Sequence, residues 1–258
     1  MAGLPDARER FTDRVHEYVR FRPSYPPDLT TLLHHYARPG SVVADIGSGT
    51  GILSRLLLDA GYVVHAVEPN TAMRKQAENS LRIFAGFHSV KGEGERTGLP
   101  DHSVDVITVA HAFHWFATGD TVWEFDRILV GGGIVFLIWN DRKTDCDRFH
   151  REFEDLLLRY GTDYSLVNHR NTTEEVVRGL FSGWRCESRR IENHQELSAE
   201  GLLGRMESSS YCPPKDHPNH APLISAVRDL FDREAVGGII NMKYDCVVFI
   251  LRLLEGHG

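Results

Sequence analysis

The run Val43-Ala44-Asp45-Ile46-Gly47-Ser48-Gly49-Thr50-Gly51 holds the most chemical information in the chain. Apolar and β-branched residues lead into three alternating glycines, and an amphipathic stretch follows. Glycine permits a tight turn at such a point and lets a ligand lie against the main chain. The amides that open the next helix carry partial positive charge, which suits a carboxylate or a phosphate. Asp45, at the end of the strand, is expected to face the same crevice and to accept from an ammonium or orient a water. Glu68 follows Gly47 by 21 residues and closes the next apolar run. A carboxylate at that topological position accepts from both hydroxyls of a ribose. Dinucleotides and S-adenosylmethionine both use this arrangement. The dinucleotide fingerprint asks for a third glycine or alanine where this chain has Ile52, and its pyrophosphate is poorly served by a nearby anion. A methionine ammonium gains from the acid of D-x-G-x-G-x-G, so the spacing points to S-adenosylmethionine.

The elements that must position these residues follow from periodicity. Strands are predicted over Ser41–Ile46, Tyr62–Val67, Phe87–Lys91, Ser103–Val109 and Gly133–Trp139, with helices over Gly51–Ala60, Thr71–Phe84 and near Asp120–Leu129. Such alternation is the pattern of a parallel sheet covered by helices. The second half is looser. A helix is predicted over Cys146–Tyr160, closing strands over Trp184–Ile191 and Lys243–Leu251, and shorter helices over Glu200–Met206 and Leu223–Phe231. The segment Cys212–Pro222 carries four of the eleven prolines and is expected to be irregular.

Further candidates cluster after the fourth and fifth strands, where an open α/β sheet places its crevice. An adenine ring needs an apolar slot with a polar group for its amino edge, a role Glu95 can fill. Phe113, Trp115, Phe116 and Trp139 could face a sulfonium, for which aromatic faces are suitable neighbours, or could be core packing. His111 and His114 are candidates for a general base, since imidazole titrates near neutral pH, or for lining the pocket. They lack a convincing third ligand, so no metal is expected. Arg142 could bind an acidic substrate or pair with Asp141 or Asp145.

Asp45-Ile46-Gly47-Ser48-Gly49-Thr50-Gly51, Glu68-Pro69-Asn70, Gly92-Glu93-Gly94-Glu95 before Leu99-Pro100-Asp101, and Ala110-His111-Ala112-Phe113-His114-Trp115-Phe116 together resemble the class I S-adenosylmethionine-dependent methyltransferases. The particular likeness is to a small-molecule branch that includes trans-aconitate methyltransferase-like proteins. Arg22-Pro23-Ser24-Tyr25-Pro26 and Trp139-Asn140-Asp141-Arg142 fit the same group. The likeness spans about residues 11 to 145. It implies that Gly47, Ser48, Gly49 and Gly51 lie against the methionine, that Glu68 holds the ribose with Pro69 beside it, and that Gly94 and Glu95 border the adenine. It further implies that Ala110 lies under the sulfonium and that Tyr18 and Arg22 reach the cofactor's carboxylate. Tyr25, Trp115, Trp139 and Arg142 are expected at the substrate. Glu93 and Gly94 depart from the small residues usual there.

Composition bounds the remaining choices. The chain has 258 residues, 41% hydrophobic and 25% charged, within the range of ordinary globular proteins. Its net charge of −7, without a basic run, argues against a nucleic-acid partner. Ala110-His111-Ala112-Phe113 also differs from the Asn/Asp-Pro-Pro-aromatic run used in methylating base amino groups. No apolar stretch is long enough to span a bilayer, and the N-terminus lacks the apolar core of a secretory signal. Four scattered cysteines without a CxxC pair suit reduced thiols in a cytoplasmic protein. Nothing in the pattern selects an oligomeric state. The expectation is one doubly wound α/β domain with a mostly parallel seven-stranded sheet and an antiparallel final strand. Residues 1–40 would form a helical lid, 41–145 the cofactor core, and 146–258 the substrate-covering helices and closing strands. Its expected activity is methyl transfer from S-adenosylmethionine to a carboxylate or hydroxyl of a small molecule, releasing S-adenosylhomocysteine. The alternatives are an NAD(P)-dependent oxidoreductase, against which stands the lack of a Tyr-x-x-x-Lys pair, and a non-catalytic S-adenosylmethionine-binding module.

Overall fold

The computed structural model describes residues 20–162, 164 and 172–254. In chain order these give α1 (Asp28–His34), β1 (Val42–Ile46), α2 (Ile52–Asp59), β2 (Val63–Val67), α3 (Thr71–Leu81), β3 (Phe87–Val90) and β4 (Val104–Ala110). Then follow α4 (Gly119–Ile128), β5 (Leu129–Arg142), α5 (Arg148–Tyr160), α6 (Glu174–Leu180), β6 (Trp184–Leu197), α7 (Ala199–Glu207), α8 (His220–Glu234) and β7 (Ile240–Leu253). The strands form a single sheet in the order β3-β2-β1-β4-β5-β7-β6. Neighbours pair in parallel except β7, which runs antiparallel to both β5 and β6. The order reverses between β1 and β4, so their C-terminal ends open a crevice.

Alternation along buried strands sends successive side chains to opposite faces. On β5, Val135, Leu137 and Trp139 join one core with Phe125 and Ile128 of α4 and Val177 of α6. Ile134, Phe136 and Ile138 join the other with Leu29 and Leu33 of α1, Leu53 and Leu57 of α2, and Ala77 and Leu81 of α3. A third cluster packs α5, α7 and α8 against Ile240, Met242 and Tyr244 of β7. It builds the cover beyond the sheet's end.

The expected elements are present, with α6 in addition. Pro27 stands at the N-cap of α1, where its fixed φ is compatible with a helix start. Helix α6 is only seven residues long, too short for a periodic signal, and Thr173 caps it through the Val176 amide. The closing strands β6 and β7 are longer than predicted, fourteen residues each.

Candidate active site

Gly47, Gly49 and Gly51 all adopt left-handed backbone conformations, with φ of +70°, +58° and +85°. At Gly47 a Cβ would fall 2.5 Å from the Ala112 Cβ, so the loop passes hard against the chain that leaves β4. The sequence suggested that the amides opening α2 suit an anion; the loop's own amides are used otherwise. Gly47 and Ser48 donate to the Val67 carbonyl at 2.9 and 3.1 Å, and Gly49 donates to Glu68 Oε2 at 2.9 Å. These amides instead tie the loop to the end of β2. What the loop offers a ligand is two buried hydroxyls, Ser48 Oγ and Thr50 Oγ1, which have no hydrogen-bond partner among the described residues.

Glu68 is only 6% exposed. Its Oε1 accepts from the Asn70 amide at 2.8 Å, and the Asn70 side chain caps α3 through the amides of Ala72 and Met73. Burial raises the Glu68 carboxyl above its usual range, against the two amides and Arg74. Asp45 is more deeply buried, at 1% exposure. Its oxygens accept from Ser54 Oγ at 2.6 Å and Thr108 Oγ1 at 3.1 Å, so it clamps β1 to α2 and β4 where it was expected to face the crevice. Burial pushes its carboxyl up to about 6 despite those hydroxyls.

Across the crevice, Gly94 lies under the Phe116 ring, where a Cβ would come within 2.3 Å of the ring. The same ring approaches Gly47, so Phe116 joins the glycine loop to the stretch after β3. Pro69 and Glu95 line an adjoining cleft of about 920 Å³ with Gly92, Trp123 and Arg127. Phe113 is core, packed with Phe125 and Phe181.

His111 follows Ala110 with φ of +53°, rare for a residue with a Cβ. Two bonds hold it there. Its amide donates to the Ile138 carbonyl at 2.9 Å, and its Nε2 accepts the Asn140 amide at 2.7 Å. In the neutral ring the proton is therefore on Nδ1. His114 stacks obliquely on Trp115, ring centres 4.9 Å apart, and both are half-buried. Trp139, expected at the pocket, is 3% exposed and packs edge-on against Phe249, since its strand position turns it into the core. Tyr25 likewise packs into the apolar cluster of α1 and α2.

The segment carrying Arg22 and Tyr25 is fastened across the sheet's end. Gln195 donates to the Phe21 carbonyl at 2.9 Å, and Asn140 and Asn193 both donate to the Ser24 carbonyl, at 3.1 and 2.9 Å. Arg22 donates to the Ser208 carbonyl at 2.9 Å. Tyr18 lies outside the described residues.

A methyltransferase-domain family pattern matches residues 44–137, which contain the loop, Glu68, Gly94 and His111. An uncharacterized methyltransferase of Mycobacterium tuberculosis is 31% identical over 221 residues, covering 85% of this chain and 84% of that protein. The chain belongs to the class I S-adenosylmethionine-dependent methyltransferases. The methyltransferase also shares its fold with a protein described as a candidate type II methyltransferase from Anaeromyxobacter dehalogenans, at a TM-score of 0.65 and 24% identity over 90% of this chain and 97% of that one. A phosphoethanolamine N-methyltransferase of Haemonchus contortus, solved with S-adenosylhomocysteine, gives a TM-score of 0.56 at 15% identity, covering 97% of this chain and 59% of that one. Membership in this family sets aside the nicotinamide reading.

The cradle of the methyltransferase fits its cofactor: two buried loop hydroxyls with no hydrogen-bond partner among the described residues, and a buried carboxylate at the end of β2. Among the described residues, one group of metal-type donors gathers elsewhere, Cys146, Asp147 and His150. His150 spends both ring nitrogens, Nδ1 on Asp147 at 2.6 Å and Nε2 on the Lys243 amide at 2.9 Å, so this group serves as a cap for α5. No described helix is long and apolar enough to cross a membrane.

Arg142 pairs with Glu154 of α5, where the sequence suggested Asp141 or Asp145, and also donates to Tyr164 Oη at 3.2 Å. Glu154, Asn193 and Gln195 carry no signal in the sequence, because long-range packing alone brings them to Arg142 and to the segment 21–24.

Proposed function

We propose that the methyltransferase moves the sulfonium methyl of S-adenosylmethionine to an oxygen, carboxylate or hydroxyl, of a small-molecule acceptor in the cytoplasm. The observation that carries this reading is the buried Glu68 carboxylate, joined to the glycine loop through the Gly49 amide and open in chemistry to a ribose diol. In this reading Gly47, Ser48, Gly49 and Gly51 cradle the methionine, with Ala110 beneath the sulfonium and Asp45 behind. Pro69, Gly94 and Glu95 border the adenine. Tyr18 and Arg22 serve the cofactor's carboxylate, and Trp115 and Arg142 form the acceptor's surroundings, while Tyr25 and Trp139 support them from the core.

When bound, the cofactor supplies an already activated methyl carbon. The protein must therefore align the acceptor oxygen and exclude water, and alignment alone is worth several powers of ten. A carboxylate acceptor needs no base. For a hydroxyl acceptor, His114 receives the proton, while His111, its Nε2 committed to Asn140, fixes the chain between β4 and β5. Calorimetric titration with S-adenosylmethionine, S-adenosylhomocysteine and NAD, followed by mass detection of methylated product over a panel of acids and phenols, tests the reading. Heat from NAD alone, or cofactor binding with no product from any acceptor, would overturn it.

A further inference from the structure

The cleft of about 920 Å³ beside the crevice lies between the turn that follows β3 and one face of α4, where Asp120, Trp123, Glu124 and Arg127 recur at helical spacing. Both walls are fixed. Glu93 and Arg96 exchange amide-to-carbonyl bonds at 3.0 and 3.2 Å, and a Cβ at Gly92 would fall 2.2 Å from the Thr97 carbonyl oxygen. Thr97, fully buried, gives its amide and its hydroxyl to Glu124 Oε1, at 2.7 and 2.6 Å. Arg127 in turn donates to both oxygens of Glu124 and to the Leu99 carbonyl. The turn and the helix are thereby tied together at their base, so the cleft is a standing feature of the fold.

Trp123 takes no part in this network. Phe125 and Ile128 of the same helix enter the core, whereas the Trp123 side chain is left 66% exposed at the cleft. No ring or cation contact engages it among the described residues. A single exposed tryptophan needs no explanation by itself, but the place of this one does. The same cleft is bordered by Pro69 and Glu95, which in the reading above flank the adenine, with Glu95 suited to its amino edge. The cleft therefore continues outward from that edge to an unused indole.

We propose that the space between the 92–97 turn and Trp123 is a subsite for an aromatic group carried on the adenine amino nitrogen, so that the methyltransferase takes adenosyl cofactors enlarged at that position. This rests on the methyl-transfer reading above. An amine substituted once keeps one N–H for Glu95, and its added ring lies against the Trp123 indole, where offset or edge-on contact is favourable. The volume is ample for one ring, since clefts of this size hold whole drug-sized ligands.

N6-benzyl-S-adenosylhomocysteine is the probe, compared with S-adenosylhomocysteine by calorimetry on the full chain. The benzyl compound is expected to bind at least as tightly as its parent. Trp123→Ala should weaken the benzyl compound about fivefold through the lost ring contact, with S-adenosylhomocysteine affinity held within about twofold. Trp123→Phe should restore most of that loss, because a phenyl ring offers the same kind of face. The residue is exposed, so neither variant disturbs the core, and unchanged urea unfolding verifies this. A benzyl compound bound more than about threefold weaker than its parent, or a Trp123→Ala variant that leaves the ratio of the two affinities unaltered, would overturn the subsite. Failure of both compounds to bind the parent protein would strike the methyl-transfer reading instead.

Discussion

Glu68 accepts the Gly49 and Asn70 amides with one oxygen each, which leaves lone pairs for further donors. Removing it takes away the tie that holds the loop and, in the proposed reading, the partner for a ribose. Glu68→Ala is therefore expected to weaken S-adenosylmethionine by about 1–3 kcal/mol, read by calorimetry. An unchanged affinity would place the ribose elsewhere. Asp45 gives a prediction of opposite kind. Its folded carboxyl titrates at about 6, above an unfolded aspartate near ~3.9. The folded chain thus holds the proton more tightly, and the stability this provides is full below about pH 4 and is lost as pH rises through about 6. The gap corresponds to about 3 kcal/mol at most. Asp147, held below the usual carboxylate range by His150 and Lys243 although burial opposes it, drifts the other way, so the whole-protein curve mixes both. The Asp45→Asn variant isolates the effect. Its stability relative to the parent, measured by urea unfolding, should rise between pH 4 and pH 7, and a flat difference would show that Asp45 is not desolvated.

Helices and strands of the first half were legible because each states itself locally, in β-branched runs, amphipathic stretches and turn glycines. The glycine loop is the sharpest case. Gly51 sits at φ +85°, and its absent Cβ would lie 2.7 Å from Leu81 Cδ1 and 3.3 Å from Ala77 Cβ, so α2 and α3 meet across it. The sequence showed the turn but not this contact, which depends on how α3 packs. Gly51→Ala combines a left-handed alanine, costing about 1–2 kcal/mol, with overpacking worth about 1–3 kcal/mol. Thermal unfolding should register a loss of about 2–4 kcal/mol. A loss below ~1 kcal/mol would mean that Leu81 swings aside and that the loop relaxes. At the other end of the sheet the signals fail. Residues 184–197 alternate charged and half-buried positions along an edge strand, and their length is fixed by pairing with β7.

At the scale of the whole molecule, the N-terminal segment, the far end of the sheet and α7 are bound into one cover by contacts between residues far apart in sequence. Asn193 to Ser24, Gln195 to Phe21 and Arg22 to Ser208 each span more than 160 residues, and no local period encodes such pairs. Gly204 shows how tightly the pieces meet. It lies within α7, where a Cβ would stand 2.3 Å from Phe21 Cδ2 and Cε2, so the ring is seated against bare helix backbone. Gly204→Ala separates local stability from cover closure. Alanine favours a helix interior by about 1 kcal/mol over glycine, so α7 itself is not weakened. The Phe21 ring, however, must leave its seat, and the bonds at Phe21, Arg22 and Ser24 loosen with it. The variant should keep or gain thermal stability while residues 20–26 become more open to protease and the acceptor's KM rises. Adding Phe21→Leu to Gly204→Ala should recover part of both, since a smaller side chain fits beside the new methyl, and that coupling is measurable as a double-mutant cycle. If Gly204→Ala leaves proteolysis and KM as they were, Phe21 does not fasten the cover, and the N-terminal segment must be held by the asparagine pair alone.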